Sequence, residues 1–273
     1  MTGTDTGAIA AHALQMRRDV VQMIADAGSG HPGGSLSAAE IVSTLYFGVM
    51  RHRPDDPAWE GRDRFVLSKG HAAPVLYSAL AEAGYFDREV LSTLRKLGSM
   101  LQGHPDMHKV PGVEVSTGSL GQGLALANGM ALALRLQGNT SSRVYCLMGD
   151  GELQEGEVWE AAMLSAHYDL GNVIAIVDRN GLQIDGPTCD VMDVSEVGDK
   201  FSAFGWFVIG CDGHDVASLL DAFEKASRHT DGPVAIVAQT TKGKGVSFME
   251  NNCDWHGRAP STDECAIALA EIG

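Results

Sequence analysis

An α/β fold is predicted, with a mostly parallel sheet covered by helices on both faces in three layers. Apolar runs at Arg143–Met148, Val173–Val177 and Pro233–Ala238 are continuous, not alternating, as in strands buried on both sides. Stretches with helical spacing of apolar residues separate most of the predicted strands. Glycine-rich turns, GDG at 149–151 above all, stand just past the predicted strand ends.

The elements follow in order. Residues 8–27 carry Ile9, Leu14, Val20, Val21 and Ile24 at helical spacing, and GSGHPGG at 28–34 is a turn. Ser37 followed by Glu40 has the capping-box pattern for a helix running through Ile41, Leu45 and Phe47. A polar loop at 51–64 leads to a short strand, Phe65–Leu67, that delivers Ser68-Lys69-Gly70-His71. Helices are predicted near 73–83 and 88–97, and a long loop at 98–118. The small-residue helix at 121–136 is apolar on most faces, which predicts burial. A crossover helix begins near Glu155–Glu157, between the strands Arg143–Met148 and Val173–Val177. Beyond 185–189 come a helix near 195–204, a strand at 206–210, a helix at 216–228 and the strand Pro233–Ala238. Residues 241–260 form a polar, Gly-rich loop, and a helix near 262–271 finishes the sequence. No repeat or linker divides the chain, so one domain over 1–273 is expected.

Composition narrows the function. A formal charge of −15 argues against nucleic acid and against an anionic membrane surface. No run is long and apolar enough for a span, and the N-terminus lacks the order of a signal peptide. The five cysteines are scattered and free of CxxC, which suits reduced thiols in the cytoplasm. Glycine, at 33 of 273 residues, exceeds the usual ~7%. Many of these glycines fall in the motif turns.

Asp150 and Asn180 stand 30 residues apart, each just past the end of a predicted strand. Open α/β sheets place ligands there. A carboxylate and an amide oxygen beside Gly-rich turns suit Mg²⁺ holding a diphosphate. Gly149 and Gly151 let the backbone approach the phosphates, and the helix near Glu155 points its amide dipoles at them. Four of the five histidines His31, His71, His104, His214 and His256 lie in Gly- or Pro-rich turns beside predicted strand ends. An imidazole there can bond a sugar hydroxyl or a phosphate oxygen; a capping or surface role is the alternative. Lys242, Lys244 and Arg258 are open to two readings, a solvated basic loop or a lid over the site. Cys253 and His256 have no partner ligands, so they are not read as a metal pair, and Trp255 is assigned to packing.

The segment 149–186 resembles the thiamine-diphosphate motif, GDG followed at this distance by an asparagine. QEG and DRNGLQIDG within it are similar to transketolase in particular, and SGHPGGSLS at 29–37 and WHGRAP at 255–260 extend the likeness along the chain. The resemblance implies the three-layer thiamine-diphosphate-binding fold, with thiamine diphosphate and Mg²⁺ as cofactors and Ca²⁺ or Mn²⁺ as substitutes. It implies Asp150, Asn180 and the backbone carbonyl of Leu182 as metal ligands and Gly151 as a diphosphate contact. His31, His71, His104 and His256 match histidines that line the channel to the thiazolium and touch substrate hydroxyls or the diphosphate. Glu155 matches a glutamate in a proton network between paired cofactors, although a helix N-terminal acid is the simpler reading. Gly118 and Leu120 match residues beside the aminopyrimidine, with Ser119 where many members carry proline. His214 matches a DGHD turn, where Asp212 and Asp215 serve as turn and cap residues.

The chemistry needs a carboxylate at N1′ of the cofactor pyrimidine, which in full-length transketolases lies in a C-terminal domain. The sequence stops at Gly273. The expectation is therefore the N-terminal subunit of a split transketolase, moving a two-carbon ketol unit between sugar phosphates, with pentose phosphates as the default. Its partner would be a C-terminal subunit carrying the pyrimidine domain and the activating glutamate, two copies of each. The helices at 121–136 and from Glu155 are expected to line the interface. Half of another thiamine-diphosphate enzyme, deoxyxylulose-phosphate synthase-like or the first component of a 2-oxoacid dehydrogenase, is an alternative, as is a non-catalytic assembly subunit. SGHPGG, WHGRAP and the histidines favour the sugar transferase, because hydroxyl-rich substrates need many hydrogen-bond partners.

Overall fold

The structure, a computed structural model, describes residues 5–273. Helix α1 (Thr6–Ala27) is capped by Asp5, whose carboxylate accepts from the amides of Gly7 and Ala8, and closed by Gly28 at φ 60°. Helices α2 (Pro32–Ser37) and α3 (Ala39–Thr44) follow in close succession. The remaining helices are α4 (Ala73–Ala83), α5 (Gln122–Leu136), α6 (Gly156–His167), α7 (Thr188–Val191), α8 (Val197–Ala203), α9 (Val216–Arg228) and α10 (Thr262–Ile272).

The strands are β1 (Arg64–Leu67), β2 (Val144–Gly149), β3 (Val173–Arg179), β4 (Leu182–Gln183), β5 (Gly186–Pro187), β6 (Phe207–Asp212) and β7 (Val234–Gln239). Five of them form one parallel sheet in the order β1-β2-β3-β7-β6. The period of two divides their side chains between two cores. Leu67, Tyr145, Leu147, Ile174, Ile176 and Ile236 face α1, α3, α4 and α9. Val66, Cys146, Met148, Val173, Ala175 and Val177 face α5, α6 and α8. Continuous apolar strands and a three-layer sandwich thus have one cause.

Four local readings differ from the structure. Ser37 opens no capping box. It ends α2, donating to Asp178 Oδ2 at 2.6 Å, while Glu40 pairs with Arg17 and His214. Bonds to buried charges outweigh a cap at this place. A capping box is formed instead by Ser261 with Glu264, at the start of α10. The segment near 88–97 is only a 3₁₀ turn, Arg88–Thr93, cut off before Arg95 and Gly98, which have left-handed backbones at φ 59° and 82°. Helix α5 buries one stripe, Leu124, Ala127, Ala131 and Leu134, and leaves Leu126 and Leu136 exposed. The small hairpin of β4 and β5 carries too little apolar pattern to be anticipated.

Candidate functional site

The parallel strands end side by side, and the chain turns at each end carry the polar groups. Beyond β1 come Ser68, Lys69 and His71; β2 delivers Asp150; β3 delivers Asp178 and Asn180; β7 leads to Thr240 and Lys242. Lys69, His71, Asp150, Asn180 and Lys242 line a cleft of about 200 Å³ together with Leu120, Glu155, Leu182 and His256.

Two fully buried carboxylates tie these turns together. Asp178 accepts from the Ser37 hydroxyl, the Lys69 ammonium and the Thr240 hydroxyl. Burial alone would raise its pKa, but the Lys69 charge and these bonds outweigh it and hold the group ionised. Glu152 accepts from the Ser68 hydroxyl, from the Gly121 amide at 3.0 Å and from the Gly149 amide at 3.1 Å. Here burial dominates and pushes the carboxyl up. Neither carboxylate stands out in the sequence, nor does Lys69. The available signal is an acid closing an otherwise apolar strand and a lysine in the turn beside it.

The predicted metal ligands converge. Asp150 Oδ1 accepts from the Gly151 amide at 2.9 Å and Oδ2 from the Gly181 amide at 2.6 Å. Asn180 Oδ1 accepts from the Leu182 amide at 3.1 Å, and the Leu182 carbonyl accepts from Lys242 Nζ at 3.1 Å. One carboxylate, one amide oxygen and one carbonyl make an all-oxygen donor set, which fits Mg²⁺ or Ca²⁺ completed by phosphate and water. Asp150 also has the electrostatics of a cation site. Burial, then the charge of Asp178, pushes its carboxyl up to about 6.

The four histidines also converge. The His31 ring centre lies 5.4 Å from His71, 5.5 Å from His256 and 6.4 Å from His104, and His71 lies 5.0 Å from His256. Burial lowers all four pKa values, with help from Arg95, Lys69 and Lys242, to about 4 for His31 and about 3 for His256. The cluster is therefore neutral near pH 7. Gly118, at φ 146°, lies so close to His104 that an added Cβ would meet its ring at 2.9 Å. Glu155 is exposed at the N-terminus of α6, against Gly121.

His214 stands apart, with Nε2 accepting from the Thr241 amide at 2.8 Å and Nδ1 at 3.0 Å from Glu40. Asp215 caps α9. The three basic residues of the last loop separate. Lys242 is buried, Lys244 pairs with Glu250, and Arg258 lies 4.2 Å over the Trp255 ring and pairs with Glu264. Trp255 packs at 3% exposure. Among the described residues no three His, Cys, Asp or Glu side chains gather to hold a metal by themselves.

Residues 9–273 match the family described as "Transketolase, thiamine diphosphate binding domain". An apulose-4-phosphate transketolase subunit of Phocaeicola vulgatus is 42% identical over 94% of this chain and 90% of its own. The 6-deoxy-6-sulfo-D-fructose transketolase subunit SqwG of Clostridium sp. is 43% identical over 94% of this chain and 93% of its own. Among solved structures, the transketolase of Pichia stipitis, in complex with sedoheptulose 7-phosphate, superposes with a TM-score of 0.92 at 36% identity. That match covers 97% of this chain, which spans only 40% of the Pichia chain. The chain belongs to the transketolase thiamine-diphosphate-binding family.

Proposed function

We propose that this chain, a transketolase subunit of the thiamine-diphosphate-binding type, holds the cofactor diphosphate and a Mg²⁺ ion at Asp150, Asn180 and the Leu182 carbonyl. A second chain supplies the pyrimidine domain with its activating glutamate, and the pair transfers a two-carbon ketol unit between sugar phosphates. The carrying observation is the convergence, at adjacent strand ends, of an all-oxygen donor set and four neutral histidines. Bound thiamine diphosphate supplies the electron sink for carbon–carbon cleavage. Lys242 and the Gly149–Gly151 backbone face the diphosphate. His31, His71, His104 and His256 meet substrate hydroxyls and the cofactor, Gly118 and Leu120 flank the pyrimidine, and Glu155 links paired sites.

The partner is supported by the names of the two relatives above, both of which are called subunits. Their named substrates differ, one a sugar phosphate and one a sulfo-sugar, so pentose phosphate is one member of an anionic class. The exposed Leu126 and Leu136 of α5 and Met163 of α6 suit an interface, and two copies of each subunit follow if Glu155 joins two cofactors. Scattered free cysteines suit a reducing cytoplasm, and among the described residues no helix is long and apolar enough to cross a membrane.

The test is an assay of ketol transfer with the chain alone and then together with a C-terminal transketolase subunit. Turnover is expected only from the pair, and full turnover by the chain alone would overturn the split reading.

A further inference from the structure

Arg95 lies at the rim of the histidine cluster. Other arginines of the chain are neutralised, Arg62 by Glu114 and Arg88 by Asp19, whereas half-buried Arg95 makes no ion pair among the described residues. Its Nη1 donates to Ser29 Oγ at 2.9 Å and its Nη2 to His31 Nδ1 at 3.3 Å. The backbone is adapted to this pose. Arg95 takes the left-handed conformation at φ 59°, and its amide donates to the Leu101 carbonyl at 2.8 Å. Gly103 leaves the room, since a Cβ there would stand 2.9 Å from the guanidinium carbon.

A guanidinium has only donors and keeps its charge. The nitrogen it faces must offer a lone pair, so the single hydrogen of a neutral imidazole goes to the other nitrogen. We propose that Arg95 is a positioning residue that fixes His31 as the Nε2–H tautomer, so that His31 meets the substrate as a hydrogen-bond donor and not as a base. The Nε2 side of the ring lies against Gly257, in the segment that carries His256. Burial, then the charge of Arg95, lowers the His31 pKa to about 4, so the neutral ring is the species present. Lys242 stands to His256 in the same relation, with Nζ 2.9 Å from Nδ1. Two of the four rings thus present N–H groups, the pattern that recognises hydroxyl or carbonyl oxygens.

The tautomer claim is independent of the reaction, and its kinetic consequence rests on the transketolase reading. The full chain, labelled with ¹⁵N-histidine and free of cofactor and substrate, is examined by long-range ¹H–¹⁵N correlation, with His31 assigned from the His31→Gln variant. His31 is expected to show the Nε2–H pattern, to keep it in Arg95→Lys, and to average between tautomers in Arg95→Met. An Nδ1–H pattern in the unmodified chain, or no change in Arg95→Met, overturns the proposal. In the active pair, Arg95→Met is expected to lower kcat/KM on the order of tenfold. The same change in the His31→Gln background is expected to cost nothing further. A loss that persists in that background would mean that Arg95 touches substrate itself, which also overturns the positioning role.

Discussion

Lys242 Nζ lies 2.9 Å from His256 Nδ1 and has no carboxylate within ion-pair distance among the described residues. It is buried at 2% exposure, and its ammonium also donates to the Leu182 carbonyl at 3.1 Å. Burial, then the charge of Lys69, lowers its pKa to about 8. The charges of Asp178 and Asp150 offset this only in part, so the buried cation is short of a directly bonded anion, and a diphosphate supplies one. Lys242→Met is expected to weaken thiamine diphosphate binding on the order of tenfold or more in calorimetry, since charge-assisted bonds are worth roughly 1.5–3 kcal/mol. Unchanged affinity would remove Lys242 from the diphosphate cradle.

Asp150 predicts a linkage between metal and pH. Its folded pKa, about 6, lies above the ordinary 3.8, so the folded chain binds this proton more tightly than the unfolded chain. The stability from that proton is full below 3.8 and is lost as pH rises through about 6. A bound cation favours the carboxylate and opposes that loss. Mg²⁺ with thiamine diphosphate is expected to raise the Tm near neutral pH, to do so progressively less below about 6, and to do nothing in Asp150→Ala. Equal Mg²⁺ effects on both sides of that pH would exclude Asp150 as the ligand.

The sheet and most of the site are legible in the sequence because both rest on local pattern. Strands such as Val173–Val177 announce themselves by continuous apolar residues, and Asp150 and Asn180 stand at their ends. The buried knots are not legible. Glu152 and Asp178 look like ordinary turn acids until Ser68, Gly121, Ser37 and Thr240 arrive from distant elements. The same long-range pull acts on Ser37, whose local pattern is a cap and whose partner is a carboxylate 141 residues away. Lys242 reads as part of a basic loop because burial of one residue in such a loop leaves no periodic trace.

The neutral histidines predict acid sensitivity. His31 at about 4, His256 at about 3 and half-buried His71 all lie below the ordinary 6.5 when folded. The unfolded chain therefore takes up these protons first. The stability they contribute is complete above 6.5 and is lost as pH falls toward about 4. Urea midpoints are expected to fall over that interval, and less steeply in His31→Gln. An identical slope in the variant would mean that His31 is not desolvated in solution.

Single alanine variants separate function from folding. His104 is exposed, His31 and His256 are only partly buried, and all three bond little of the core, so their replacement is expected to move the Tm by no more than a few degrees. The cost to kcat/KM in the active pair is expected to be on the order of tenfold or more each. Burial lowers the His71 pKa well below 6.5, so His71→Ala is expected to cost the most stability of the four. Unfolding in all four would assign the cluster to structure alone.

Two glycines of α5 provide the sharpest contrast. A Cβ on Gly123 would stand 2.2 Å from Ser68 Oγ and 2.8 Å from Ser68 Cα, whereas a Cβ on exposed Gly129 would meet nothing within 4 Å. Helix propensity alone favours alanine at both by about 1 kcal/mol. At Gly129 that gain is expected in full. At Gly123 the helix must back away from the end of β1, and overpacking of this kind costs about 1–3 kcal/mol. The shift also pulls Ser68 and the Gly121 amide from Glu152, which holds the Gly149 amide beside Asp150. Gly123→Ala is therefore expected to lower the Tm and to weaken thiamine diphosphate binding, while Gly129→Ala raises the Tm and leaves binding unchanged. Melting curves and calorimetry on the two variants read both effects, and equal behaviour at the two positions would refute the close approach of α5 to β1.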